Sequence, residues 1–411
     1  MKTRLLLWIM SILFSSAVSA QPWQIKNSGT ANNLNAVAFS DKQNGVIAGD
    51  NGTVKSTTDG GATWTPASGI PQVHYRGATP RHPRADSLAP GFLVVGQSGN
   101  ILKRDGNTGT WQNLTTFTSN ALNDIQVDPG LGQTAFAVGE NGTIAKSLDG
   151  GDTWGQLNVP AAAGKWLTKV SIDPTNPDKV TIVGDNGFVL QTNDGGTSWS
   201  NQSLPGNIYL GSVFYTGPNS GWASGSDGLL NSFIGSVFTP YTLGTTNGIM
   251  GLGFANENFG YGFGDNGYIT HWDGSTWTEQ TSPTTNWLNG GTAIAEYQKS
   301  FPSDYTVYAW AVGQNGTLIS TVQSVVGLKE QPSADGFLIS PNPCNGHFIV
   351  KGPISGEISL EIFDISGRRL ADTRTSINAE CDFSSLKPGV YTIRFISGNS
   401  AQLHKLIVRT E

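Results

Sequence analysis

Charge is scarce in this 411-residue chain: Asp, Glu, Lys and Arg together make up 13 %, against about 25 % in an ordinary globular protein. That level excludes a coiled coil and a charge-driven disordered segment. Cysteine is scarcer still. Two residues, Cys344 and Cys381, cannot staple a chain of this length. Arginine is missing altogether from Ala121 to Val326. Histidine occurs five times, and His74, His82 and His271 have no spacing that suits a metal or a base beside a nucleophile. No metal site or cofactor is therefore expected. There is no G-x-S-x-G elbow and no phosphate-cradling loop. Long apolar runs are absent too. The longest, Leu5–Phe14, is half of the roughly 20 residues that span a bilayer, so no transmembrane span is expected in the mature chain. The net charge of −6 leaves no electrostatic footprint for nucleic acid or anionic lipid.

What the chain has in quantity is glycine, 53 residues, with 12 Trp and a 10 % aromatic share. Short runs of Thr, Ser, β-branched and aromatic residues between Gly-rich turns fit pleated, half-buried strands. An all-β chain follows. Lys2 and Arg4, the apolar run and the small residues ending Val18-Ser19-Ala20 read as a secretory signal peptide over 1–20. A composition change near Ser324 marks a boundary. Residues 21–324 hold 13 Lys and Arg against 21 Asp and Glu, a net −8, whereas 337–411 hold 8 against 7, a net +1. Residues 325–336, with Lys329, Pro332 and Asp335, read as a linker.

The turn Gly-x-(Asn/Ser/Asp)-Gly recurs seven times between Gly49 and Gly316, at intervals of 39 to 49 residues. That period is the one expected of propeller blades, with one four-stranded sheet per copy. Asn-Gly and Asp-Gly tolerate the positive φ of tight hairpins. A second element follows at a fixed offset: Thr57–Trp64, Ser147–Trp154 and Thr192–Trp199, each containing Asp-Gly-Gly, with looser copies at Asp105–Trp111 and Asp273–Trp277. The fifth copy keeps only Phe238. These elements resemble the Asp box of bacterial-neuraminidase (BNR) repeats. In them Asp59, Asp149 and Asp194 are expected to tie the turn while Trp64, Trp154 and Trp199 close over it. In that family the box lies opposite any active site, so these aspartates are read as structural. The seventh copy lacks an outer strand, and Pro22–Lys26 matches the missing pattern. The N-terminal strand is expected to complete the last blade and leave no open edge. Residues 21–324 thus resemble the seven-bladed propeller family of photosystem II assembly factors. The photosynthetic role is not expected of this chain, because the basic patch of that subgroup is missing and the C-terminal segment points outward.

That segment carries Ser340-Pro341-Asn342-Pro343, Ile362-Phe363-Asp364-Ile365-Ser366-Gly367-Arg368, Asp382–Leu386, Gly389–Arg394 and a closing Lys405-Leu406-Ile407-Val408. It resembles the C-terminal sorting domain of type IX secretion cargo. The resemblance implies an immunoglobulin-like β-sandwich read by the outer-membrane export machinery, and a cell-surface or extracellular destination. Cys344 and Cys381 both fall here, as a disulfide or as two buried thiols.

On the propeller, ligands are expected where loops enter the inner strands. Trp166, Tyr209 and Trp287 stand just before such strands, as a platform for sugar rings or peptide side chains, or as caps on the core. Asp124 and Lys169 hold equivalent positions in adjacent inner strands and should pair. Asp50, Glu140, Asp185, Asp227 and Asp265 lie in the turns on the same face, as exposed turn residues or as oxygen ligands for a cation. A sialidase needs several Arg from different blades, but Arg76, Arg81, Arg84 and Arg104 all belong to the second. Arg76–Arg84 reads as a basic loop insertion, either solvated or facing an acidic partner. A monomeric, non-catalytic binding or scaffold module for an unknown glycan or protein is the expectation. The alternative is a glycan-cleaving hydrolase using Asp124, Asp227 or Glu140, although their spacing selects no pair.

Overall fold

The computed structural model describes residues 18–81, 90–114, 116–298, 301–325, 338–342, 344–351, 357–364, 368–397 and 400–409. The chain divides into two units, Met1–Val326 and Gly327–Glu411. Their described residues are almost entirely strand and turn.

In the first unit, seven antiparallel sheets follow one another along the chain. The first runs Leu34–Phe39, Gly45–Gly49, Val54–Thr57 and Thr65–Pro66. The later sheets open with Tyr75–Arg81, Leu122–Val127, Leu167–Asp173, Leu210–Gly217, Ile249–Asn256 and Leu288–Gln298. Each opening strand lies against the next, and the seventh lies against the first, so the sheets close a ring. The second strands, such as Gly45–Gly49, Gly91–Gly96 and Ala135–Gly139, are buried at every residue. A sheet covered on both faces needs continuous small and apolar runs rather than alternation.

The core is distributed between neighbouring sheets. Ala36, Val46 and Val54 pack on Tyr75, Phe92 and Leu102 across one junction. Leu34, Phe39 and Ile47 meet Trp310, Val312 and Leu318 across the junction that closes the ring. There the Phe39 and Trp310 rings stack with centroids 3.6 Å apart. Gln24 and Ile25 pair with Ser320 and Ile319, as the missing outer strand required. Trp23 is buried edge-on against Tyr261 and Phe263.

One reading of the sequence changes, and two of its boundaries fall on residues paired in a strand. Tyr75–Arg81 is the inner strand of the second sheet, not a loop insertion. Its alternating burial places Arg81 inside, where its guanidinium donates to the Gly150 carbonyl at 2.7 Å and meets Asp152 at 3.0 Å. The charges disguised a strand, because each Arg has a partner on the next sheet; His82 to Arg84 lie outside the described residues. Val18–Ala20, read as the end of the leader, pairs with Gln323–Val325, since the edge of that strand offers backbone groups to the chain preceding Gln21. Val325, read as the first linker residue, ends that same strand. Residues 1–17 and 326–337 lie outside the described residues.

The second unit has a three-stranded sheet, Leu338–Ser340, His347–Lys351 and Glu380–Asp382, and a four-stranded one, Arg369–Ser376, Glu357–Phe363, Gly389–Ser397 and Ser400–Val408. Phe348 and Val350 from the first share a core with Leu360, Ile362, Ile393, Phe395 and Leu406 from the second. Cys344 and Cys381 are buried free thiols in that core.

Candidate functional site

All seven inner strands break register at the same point, with one bulged residue directly after the first: Asn35, Arg76, Asn123, Thr168, Gly211, Met250 and Asn289. A bulge re-aims its side chain away from the pleat. All seven therefore line one basin of about 660 Å³ at the end of the ring where the inner strands begin. Four of them also donate to a backbone carbonyl of the neighbouring sheet. Asn35 Nδ2 donates to the Tyr75 carbonyl at 2.9 Å, Asn123 Nδ2 to Leu167 at 2.7 Å, Thr168 Oγ1 to Leu210 at 2.6 Å and Asn289 Nδ2 to Leu34 at 2.9 Å.

The rim is set by the repeated turns. A Cβ on Gly184, Gly225 or Gly313 would lie 2.4, 2.1 or 1.8 Å from the carbonyl oxygen of Trp166, Tyr209 or Trp287. Only glycine lets the turn approach so closely. Those carbonyls accept backbone hydrogen bonds from Asp185, Ser226 and Gln314. The three aromatic residues are thereby fixed by their backbones. Trp166 is 40 %, Tyr209 42 % and Trp287 47 % exposed, and all three line the basin.

The facing wall is polar. His74 Nδ1 lies 2.8 Å from Asp50 Oδ1. Burial opposes ionisation of Asp50, but hydrogen bonds from His74, Asn35 and Asn33 outweigh it and hold the carboxyl below its ordinary range. Arg76 donates to Asn123 Oδ1 at 2.6 Å and Glu140 Oε1 at 3.0 Å, with its guanidinium 5.4 Å from the Trp166 ring centre. Lys169 forms the floor and reaches Asp124 Oδ1 at 3.1 Å. Asp124 lines a smaller cavity of about 160 Å³ beneath. Burial pushes its carboxyl up, against the pull of Lys169 and the Val170 N–H.

No pair of carboxylates faces across the basin among the described residues. Asp50 is the one carboxylate in its lining, Glu140 is tied to Arg76 and Asp124 to Lys169. Asp185 and Asp265 bind their own rims, at the Trp166 and Gly248 N–H groups, and Asp227 is the positive-φ residue of its turn. Among the described residues no group of three or more His, Cys, Asp or Glu is placed to hold a metal.

The Asp-Gly-Gly turns sit at the other end of the strands, because each joins the third strand of a sheet to the fourth. In the first, Asp59 Oδ1 accepts from the Thr57 hydroxyl at 2.7 Å and the Thr63 N–H at 2.9 Å, and Oδ2 accepts from the Thr63 hydroxyl at 2.6 Å. Asp149 and Asp194 repeat the pattern. Trp154 and Trp199 each donate to a turn carbonyl at 3.1 Å, those of Gly151 and Gly196. In the first turn Trp310 of the seventh sheet takes the carbonyl of Gly60, and Trp64 Nε1 has no partner.

Asn35, Asn123 and Asn289 escape the sequence reading, which has His74 only as a histidine without metal spacing and Arg76 only as part of a basic loop. A signal was present: Leu34-Asn35, Leu122-Asn123 and Leu288-Asn289 repeat a Leu-Asn step at the start of an inner strand.

Residues 338–409 match the model of the secretion system C-terminal sorting domain. Residues 15–77 and 103–209 match that of the photosynthesis system II assembly factor YCF48. The chain is a Ycf48-like propeller fused to a type IX sorting domain. Among solved structures, one titled "YCF48 bound to D1 peptide" superposes on this Ycf48-like chain with a TM-score of 0.56 at 18 % identity, covering 73 % of it and 96 % of the relative. YCF48 from Cyanidioschyzon merolae gives 0.54 at 17 %, covering 73 % and 98 %. At such identities the likeness carries the fold alone. Among curated proteins, the photosystem II assembly lipoprotein Ycf48 of Synechococcus sp. (strain CC9902) is 27 % identical over 149 residues, 36 % of this chain and 43 % of the relative. That of Parasynechococcus marenigrum (strain WH8102) is 44 % identical over 50 residues, 12 % and 15 %. The chain thus spans less than half the length of these curated relatives. The sorting domain indicates export through type IX secretion. No helix among the described residues is long and apolar enough to cross a membrane.

Proposed function

We propose that this is an exported, non-catalytic binding module whose Ycf48-like ring, residues 21–324, holds its ligand in the basin, and whose residues 337–411 address it to type IX secretion. In this reading residues 1–20 are removed as a signal peptide, 325–336 connect the two parts, the sorting domain is an immunoglobulin-like sandwich, and the product works at the cell surface or beyond it. The observation that carries the binding role is the set of three half-exposed rings, Trp166, Tyr209 and Trp287, on one basin. Large aromatic faces left in water on a concave surface are characteristic of recognition sites. Lys169 and Asp124 brace the floor, and the Asp59, Asp149 and Asp194 turns act as Asp-box staples remote from it. The solved YCF48 carrying a D1 peptide supports ligand binding on this type of ring, without fixing the ligand here. The hydrolase alternative needs two opposed carboxylates, one of them raised; the raised group, Asp124, is instead paired to Lys169. The test is a glycan and peptide array probed with the secreted protein and with Trp166→Ala and Trp287→Ala. Loss of the array signal in the variants is expected; unchanged signal in both refutes the basin as the site.

A further inference from the structure

Cys344 and Cys381 are the only cysteines of the chain, and both belong to the core of the second unit, 6 % and 5 % exposed. Within that core they stand apart. The Cys381 thiol donates to Thr375 Oγ1 at 3.4 Å, on the strand Arg369–Ser376 at one edge of the four-stranded sheet. Cys344 lies beside Val408, at the opposite edge. Its N–H donates to the Ile407 carbonyl at 2.9 Å, and its carbonyl accepts the Arg409 N–H at 2.8 Å. Three strand spacings, about 14 Å, separate those edge strands. The three-stranded sheet adds to the separation. Cys381 pairs with Phe348, and the Phe383 N–H donates to the Gly346 carbonyl, so the chain running back from Phe348 toward Cys344 draws away from Cys381. A disulfide needs the two Cα atoms within about 7 Å. The folded domain therefore holds its thiols out of each other's reach.

Before folding, nothing does so. The two residues are 37 positions apart in the chain, and the entropy cost of closing a flexible loop grows only with the logarithm of its length. Reactivity divides the same way. A thiol attacks as its thiolate; in the folded domain burial pushes the Cys381 thiol up and both residues are shielded from solvent, whereas in the unfolded chain both are open. Exported chains meet oxidising surroundings, so the order of folding and oxidation decides the outcome.

We propose that the sorting domain is a redox-gated fold: it forms only while Cys344 and Cys381 are both reduced, and a disulfide made between them first holds it out of its native state. With glutathione disulfide as the oxidant, the Cys344 thiolate attacks one of its sulfurs, breaking that bond and releasing one glutathione. The Cys381 thiolate then attacks the Cys344 sulfur, forming the Cys344–Cys381 bond and releasing the second glutathione. The cysteines lose two protons and two electrons, and the oxidant takes them up. To accommodate that bond, Cys344 must leave Ile407 and Arg409 or Cys381 must leave Phe348, which opens the core that Phe348 and Val350 share with Ile393 and Phe395. Folded first, the same thiols are inert.

The test uses the full chain, unfolded in urea and refolded by dilution with either dithiothreitol or glutathione disulfide, beside a native sample given the same oxidant. Alkylation and intact mass count the thiols, and trypsin resistance reports the folding of residues 337–411. The native sample is expected to keep both thiols and its resistance. Refolding with oxidant should give a species with no free thiol and no bound glutathione, whose C-terminal segment is cut at least tenfold faster, and later reduction should restore its resistance. The double variant Cys344→Ala/Cys381→Ala should refold alike with and without oxidant. A chain that carries the internal disulfide and stays resistant overturns the proposal. So does a trypsin-sensitive species that carries glutathione instead of the internal bond, since a mixed disulfide then causes the block. If the double variant does not fold even in reductant, the purified oxidised wild-type chain decides: failure to recover on reduction refutes the gate.

Discussion

Asn289 Nδ2 donates to the carbonyl of Leu34 at 2.9 Å, a contact that joins the last sheet to the first between residues 255 positions apart in the chain. The same bulge position makes the equivalent clasp from Asn35 to Tyr75 and from Asn123 to Leu167. One device therefore closes the ring, fixes the spacing of adjacent sheets and shapes the basin wall.

Closure also depends on the N-terminal strand. Trp23 is 6 % exposed and packs edge-on against Tyr261 and Phe263, whereas Ile25, two residues on, is 65 % exposed. Trp23→Ala is expected to lower unfolding stability by about 3–5 kcal/mol through the cavity it leaves. Ile25→Ala should stay within about 0.5 kcal/mol. Urea denaturation of both variants measures the contrast, and equal effects would disprove the clasp.

Arg76 is held by Asn123 and Glu140 and faces Trp166. Because the pair is partly exposed, Arg76→Ala is expected to cost about 1 kcal/mol or less. The uncovered Trp166 should become more accessible to acrylamide. In a Trp166→Phe background the same Arg76→Ala substitution should leave the quenching unchanged; a persisting difference assigns the effect to another tryptophan.

The Asp-Gly-Gly turns predict an acid limit. The Thr63 hydroxyl, then its N–H, hold Asp59 at about 2. At Asp149 burial pulls upward, but Thr153 and Ser147 outweigh it, again to about 2. The Ser198 hydroxyl and N–H do the same for Asp194. An unfolded aspartate titrates near 3.9, so the unfolded chain takes up protons first as pH falls. This stabilisation is complete above about pH 4 and disappears as pH drops toward 2. Asp149→Ala should lose about 1–2 kcal/mol at neutral pH, from the hydrogen bonds removed, while leaving ligand affinity unchanged. Thermal melts across pH, with binding measured in parallel, test both parts.

His271 adds a second, milder pH dependence. Burial drives its imidazole down to about 4, with Asp273 opposing weakly, and its Nε2 has no hydrogen-bond partner. The unfolded histidine titrates near 6.5. Between those values the unfolded state binds the extra proton, so stability is full above about pH 6.5 and declines as pH falls through 4. The ring lies 4.4 Å from that of Phe259, which makes His271→Phe the fitting replacement. That variant should flatten the pH 4–6.5 portion of the stability curve; an unchanged slope would show that other groups produce it.

The sequence by itself determined the all-β class, the sevenfold repeat, the placement of the turns, the borrowed outer strand within Pro22–Lys26 and the outward-directed C-terminal segment. Those features are local: Gly49 and Gly52 are demanded by the turn they occupy, and Asp59 bonds to Thr57 and Thr63 within a few residues. The Asp124–Lys169 pairing was also legible, because equal positions in adjacent repeats become neighbours. Only the tertiary structure decided what the basin is made of. Arg76 read as part of a basic loop, since its partners Asn123 and Glu140 lie 47 and 64 residues away and no local pattern announces them. Whether Trp166, Tyr209 and Trp287 were buried or bare could not be read from their types, since an aromatic ring before a strand serves either as cap or as platform. Their partial exposure follows from the ring, which brings seven strand starts, scattered along the chain from Leu34 to Leu288, to one rim, where each bulge turns a side chain out of its sheet and into shared space.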